Sequence, residues 1–305
     1  MPLPTPPCPL VLLRPKVAAR MHLVFGTSRY EEEQYTDPPG DPGLFGPGSV
    51  TWRVHASPAL LLGGVSAVML QTLHPLTMAG VADHSNWREA PLERLSRTAS
   101  FVTATTYAST EVAESIIAVV RAVHRRVVGT APDGRPYDAG DPALLRWVHT
   151  AEVASFLRAY RRYELRPLPG WAQDRYMDEM AVVAGRLGAA SVPRSRAEVR
   201  SYFRAVRPEL EGGQPARDTV SALMAPFGSD PVVQAAYTLV VQAAVDLLPG
   251  WAKNMLGLRE LGALERAALR PAAWALMNGL RAAAGPPPVL RLAEERCQGG
   301  ARRAA

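Results

Sequence analysis

Cysteine is nearly absent from this chain: there are two in 305 residues, Cys8 and Cys297, close to opposite ends. Thiols so few and so far apart make neither a disulfide framework nor a cysteine metal site. There is no Cys-x-x-Cys-His run either, which excludes a covalently attached c-type haem. Aromatic residues are scarce at 7%, and β-branched runs are short, while Ala and Leu abound. That balance favours helix. No apolar run is long enough for a bilayer span; the longest, Pro58–Leu70, carries two glycines and reads as a buried helix. The net charge of +6 is mostly scattered arginine, with doublets at Arg125-Arg126, Arg161-Arg162 and Arg302-Arg303. None is interleaved with aromatics as a nucleic-acid stripe would be, so no nucleic-acid partner is expected and solvated helix faces account for most of the excess. Also missing are Gly-x-Ser-x-Gly, a phosphate loop, His-Glu-x-x-His, a complete dinucleotide fingerprint and paired Glu-x-x-His motifs. Their chemistries lose their usual sequence support.

What is present predicts an all-α protein of eight to ten helices around one large core. Residues 1–44 form a Pro/Gly-rich N-terminal arm, residues 45–285 the body and residues 286–305 a C-terminal tail. The apolar stretch Leu10–Leu13 is too short for a signal-peptide core, so a cytoplasmic protein without a transmembrane segment is expected, and Met21 offers an alternative start. Ser57-Pro58 opens the first strong helix, apolar nearly all round, and His74-Pro75 ends it. A second helix opens at Pro91. A third spans Thr110–Val128, with Gly129 as its C-terminal glycine. Asp133-Gly134 marks a turn, and Asp141-Pro142 caps a helix running to about Tyr163. Further helices fall at about 173–188, 196–210, 231–247 and 258–283. After Pro286 the tail is weakly structured apart from Val289–Arg296. Oligomeric state is not readable.

The candidate chemistry clusters between Ala90 and His149. His124 lies in an apolar helical stripe with Ile117, Val120 and Val127, and Arg121 is one turn before it. A satisfied core histidine is the ordinary reading of that pattern. The functional one is a neutral imidazole able to ligate a metal, with Arg121 paired to an acidic group. Arg94 and Thr98 share a helix face with Arg97 beside them: either a solvated face with Glu93 as ion-pair partner, or donors preorganised for a developing anion. His149 rivals His124 as a ligand. His74 could be a distal base, and His74, His84 and Asp83 could in principle form a non-haem iron triad. His22 and His55 have no evident partners.

Together these pieces resemble one family. Phe45-Gly-Pro, Leu62-Gly-Gly, His74-Pro, Asp83-His-Ser, Arg94-x-x-Arg-Thr, Val123-His124, Gly129, Tyr137-x-Ala-x-Asp141-Pro-x-Leu-Leu-x-Trp-Val-His149 and Pro249-x-Trp251-Ala are similar, in order and spacing, to the MpaB / latex-clearing-protein oxygenases over roughly residues 40–255. The resemblance implies a globin-like helical core around a non-covalent haem b, and oxygen-dependent attack on an apolar, alkenyl, isoprenoid or aromatic small molecule, with cleavage of a carbon–carbon double bond as the type reaction. It implies His124 as iron ligand and Arg94, Arg97 and Thr98 as the catalytic distal set; Arg121, His149 and His74, from their own positions, are the further cofactor-binding candidates. In latex-clearing proteins the position matching Arg97 is usually lysine. Arginine stays charged and has no lone pair for iron, so Arg97 can donate but not ligate. Neither Asp83 nor Glu89 matches the family's glutamate base. The alternative expectation is a non-catalytic haem- or lipid-binding carrier or sensor.

Overall fold

The computed structural model describes residues 32–85, 91–225 and 230–303. Among these, helices occur at α1 Glu33–Thr36, α2 Val50–His55, α3 Leu60–Gln71, α4 Pro75–His84, α5 Pro91–Tyr107, α6 Thr110–His124, α7 Pro142–Tyr163 and α8 Gly170–Leu187. They continue with α9 Arg196–Ala205, α10 Gln214–Met224, α11 Pro231–Leu247, α12 Gly250–Leu256, α13 Ala263–Ala284 and α14 Pro288–Arg303. The protein is all-α apart from one hairpin, β1 Val128–Thr130 against β2 Pro136–Asp138. More helices occur than expected because short ones such as α1, α2 and α12 carry too few residues for a periodic pattern to show.

Helix α3 is the centre. Leu62, Val65, Met69 and Leu70 are almost wholly buried, as an all-round apolar helix must be. Ser57 does cap, but one turn early: its Oγ accepts from Ala59 N at 3.1 Å, and the regular helix starts at Leu60. His74 is extended, at φ −91° and ψ 114°, because Pro75 follows it, and α4 leaves at 104° to α3. α3 packs chiefly on α7 and then on α11. The α3–α7 approach is close enough that a Cβ on Gly63 would lie 2.9 Å from Phe156 Cα and 3.2 Å from Ala159 Cβ. On α7 the Asp141 carboxylate accepts from Ala143 N at 2.6 Å, the N-cap that Asp-Pro predicts. Trp147, fully buried, donates from Nε1 to Gln71 O at 3.2 Å and ties the end of α3 to α7.

Two expectations change. α6 stops at His124, and Gly129 sits in β1, where a Cβ would lie 2.4 Å from the Tyr137 hydroxyl. The glycine makes room for a tyrosine ring and does not terminate the helix. The C-terminal segment is the helix α14, anchored by a buried arginine. Arg296 donates to Asp41 O at 2.8 Å, to Tyr35 O at 2.9 Å and to Ala108 O at 3.3 Å. Three carbonyls from separate segments thus share one guanidinium, whose rigid fork of donors suits that task.

Gly63→Ala should destabilise the protein by about 1–3 kcal/mol, since the facing atoms are backbone and a short side chain. Gly64→Ala meets only Phe156 Cε1 at 3.8 Å. It should be neutral or stabilising by up to about 1 kcal/mol. Urea unfolding of both variants checks the contrast; equal losses would sink the close-approach argument.

Candidate functional site

The site is built on the helical hairpin of α5 and α6. Its turn is held by the arm: Asp41 accepts from Thr110 N at 3.0 Å and from Thr110 Oγ1 at 2.8 Å, placing a carboxylate at the N-terminus of α6. At the other end of α6, His124 is half-buried, and its Nδ1 is buried with no hydrogen-bond partner. Burial holds its pKa below the usual imidazole range, partly opposed by the charge of Asp138. The chain beyond is tightly located. Val127 N donates to His124 O at 2.9 Å, and Tyr137 OH donates to Asp83 Oδ2 at 2.5 Å. Arg121, one turn back, is exposed, as is Arg97 on α5. Arg94 lies in α5 too, but its side chain, like residue Glu89, falls outside the described residues.

A cavity of about 330 Å³ lies between α3, α5, α7 and the junction of α13 with α14. Its wall is largely apolar, with Leu61, Val65, Val68 and Phe156, and among the described residues of the expected distal set Thr98 lines it. His55, which had no evident partner in the sequence, and Glu152, which was not among the expected site residues, also line it.

His55 is a satisfied core histidine. Thr106 Oγ1 donates to Val102 O at 2.6 Å, so at the 2.7 Å contact with Thr106 the donor is His55 Nδ1. His55 Nε2 then accepts from Tyr176 OH at 3.0 Å. Both ring nitrogens are spent, and burial pushes the pKa down to about 3. Glu152 is the opposite case. It faces the cavity with no protein partner among the described residues, and burial raises its pKa to about 7. No sequence pattern announced it, because a lone glutamate on a mixed helix face ordinarily points to water.

His149 lies one turn before Glu152 on α7, and burial lowers its pKa to about 4. His74 points elsewhere: it packs on Trp147 at 6.2 Å between ring centroids, and its Nε2 is 3.9 Å from Glu209 Oε2. Burial, helped by Arg135 and opposed by Asp141, lowers its pKa to about 4. His84 instead stands edge-on to Tyr137. Among the described residues no three His, Cys, Asp or Glu side chains converge on a metal position, so His74, His84 and Asp83 do not assemble a triad.

The geometry is that of a helical scaffold with a largely apolar cavity, a half-buried imidazole whose Nδ1 has no partner, and a hydroxyl-bearing helix. The family model described as ER-bound oxygenase mpaB/B'/rubber oxygenase, catalytic domain, matches residues 52–282. The chain belongs to this family. It is therefore an oxidoreductase of the oxygenase kind. Comparison with curated proteins and with solved structures returned no match. No single helix among the described residues is long and apolar enough to cross a membrane.

The residues fit a haem in their donor chemistry. His124 offers a neutral imidazole with an orphaned buried nitrogen, and Thr98 puts a hydroxyl on an apolar cavity wall. His124 itself does not line the 330 Å³ cavity.

Glu152 also makes a stability prediction. Its folded pKa of about 7 lies above the ordinary 4.5, so ionisation is harder in the folded state. The penalty is absent below pH 4.5, grows as pH rises and is full above about 7. Glu152→Gln should therefore gain about 1–3 kcal/mol over the native protein at pH 8 and little at pH 4. Urea midpoints at the two pH values measure this, and a pH-independent difference would count against it.

Proposed function

We propose that this enzyme is a haem b-dependent oxygenase that uses molecular oxygen on an apolar, alkenyl, isoprenoid or aromatic small molecule, with oxidative cleavage of a carbon–carbon double bond as its reaction. The observation that carries this reading is His124: a neutral imidazole with an unpartnered buried nitrogen, at the end of a helix whose hairpin partner bears Arg97 and Thr98. Haem, when bound, supplies the redox chemistry. His124 would hold the iron. Arg121, exposed one turn earlier, would pair with a propionate through its bidentate fork.

Arg97 and Thr98, with Arg94, would donate hydrogen bonds toward the oxygen as negative charge develops on it. Arg97, which has no free lone pair, would serve only as a hydrogen-bond donor. The apolar wall around Thr98 favours a hydrocarbon substrate. His149, neutral at pH 7, is the imidazole that could add a second ligand, whereas His74 is turned toward Trp147 and Glu209. Such a closed site would make the protein a carrier or sensor.

Protein produced with a haem supply should show a Soret band that shifts sharply when it is reduced and exposed to carbon monoxide. His124→Ala should lose most of that band, while His149→Ala and His74→Ala should keep it. A His124→Ala protein with an unaltered spectrum overturns the ligand assignment, and a native spectrum blind to carbon monoxide favours the carrier.

A further inference from the structure

The cavity beside Thr98 holds one polar group that the oxygenase reading leaves without a task. Ser57 and Arg281, both on its wall, are engaged with the Glu164 carboxylate. Gln71 donates from Nε2 to Val148 O at 3.0 Å, and both nitrogens of His55 are spent inside the core. Glu152 remains, set in the apolar wall with Phe156 one turn along the same helix.

Among the described residues no cation compensates it. On its own helix His149 is neutral at pH 7, and behind the cavity so are His55 and Tyr176. Glu179, also near Tyr176, is occupied by Thr51 and Arg175. Arg281, across the cavity, is paired with Glu164. Burial pushes the Glu152 pKa up to about 7, so below that pH the carboxyl is mostly the neutral acid, which can donate one hydrogen bond and accept others.

We propose that the cavity binds a medium-length aliphatic molecule with a single uncharged oxygen head, a ketone, aldehyde or alcohol, whose oxygen takes a hydrogen bond from the Glu152 carboxyl. A carboxylate head would face an acid with no cation to receive it. An ammonium head would require a desolvated ion pair in an apolar wall, and the cost of desolvation opposes that. The volume of about 330 Å³ suits roughly ten to twelve non-hydrogen atoms at about 30 Å³ each. The inference rests on the oxygenase reading only in making this molecule the substrate; as a binding site it stands on the cavity and its one unpartnered acid.

The test is isothermal titration calorimetry on the full haem-supplied protein, with 2-decanone, 1-decanol, decylamine and decanoate at pH 6 and pH 8. The ketone and the alcohol should bind best. Ketone affinity should fall about tenfold between the two pH values as the proton is lost, because a carboxyl of pKa about 7 is mostly protonated at the first and mostly ionised at the second. Glu152→Leu should weaken the ketone about tenfold at pH 6. Glu152→Gln, which keeps a donor, should bind it with no pH dependence. Leu61→Trp, which fills the cavity and leaves the acid in place, should abolish binding of all four.

Tightest binding of decylamine, unaltered ketone affinity in Glu152→Leu, or no heat from any probe overturns the proposal. The absorption spectrum separates the two readings. Haem without ketone binding sinks this site alone, while ketone binding in a protein that takes no haem sinks the oxygenase and leaves the site.

Discussion

Everything in this fold leans on how closely α3 and α7 approach. α3 has no polar face, so it is stable only when covered, and the largest share of its cover is α7. Gly63 lets the two backbones come within reach of one another. Gly64, the next residue, lines the cavity on the other side. One helix therefore separates a tightly packed seam from an open interior. Leu61 of α3 and Phe156 of α7 are among the side chains that wall the cavity.

That interior also sets the electrostatics. Burial is the largest influence on protonation there: His55, His149 and His74 are kept neutral and Glu152 is made hard to ionise. Neutral imidazoles and an acid that resists ionisation make a poor ion-pair network. They also give the folded state two opposed responses to acid. Lowering the pH through the imidazole range costs the buried histidines their advantage, since only the unfolded chain can take up those protons, while the same change relieves Glu152.

Much of this could be read from the chain. Helix α3 announced itself through an unbroken apolar run, and α7 through Asp141-Pro142. The break at His74 followed from the proline after it. His124 stood out because an imidazole interrupts an otherwise apolar stripe. What could not be read depended on contacts distant in sequence. Gly129 looked like a helix stop because its partner, Tyr137, is eight residues away across a hairpin too short to leave a pattern. His55 seemed isolated because Thr106 and Tyr176 reach it from two other helices. Glu152 had no signal at all: its significance comes from what does not surround it. The C-terminal helix was under-read for a related reason, since Arg296, a residue expected in water, is its buried anchor.

That anchor bears on where the enzyme ends. The family's recognisable span is residues 52–282, yet Asp41 and Arg296 lie outside it on either side. Asp41 seats the first turn of α6, and Arg296 gathers Asp41, Tyr35 and Ala108 around the bend where α5 gives way to α6. The hairpin that presents His124 is thus braced from beyond the shared catalytic domain. A substitution at Asp41 or Arg296 would thus reach the helix that carries His124 without touching any residue inside the family's span.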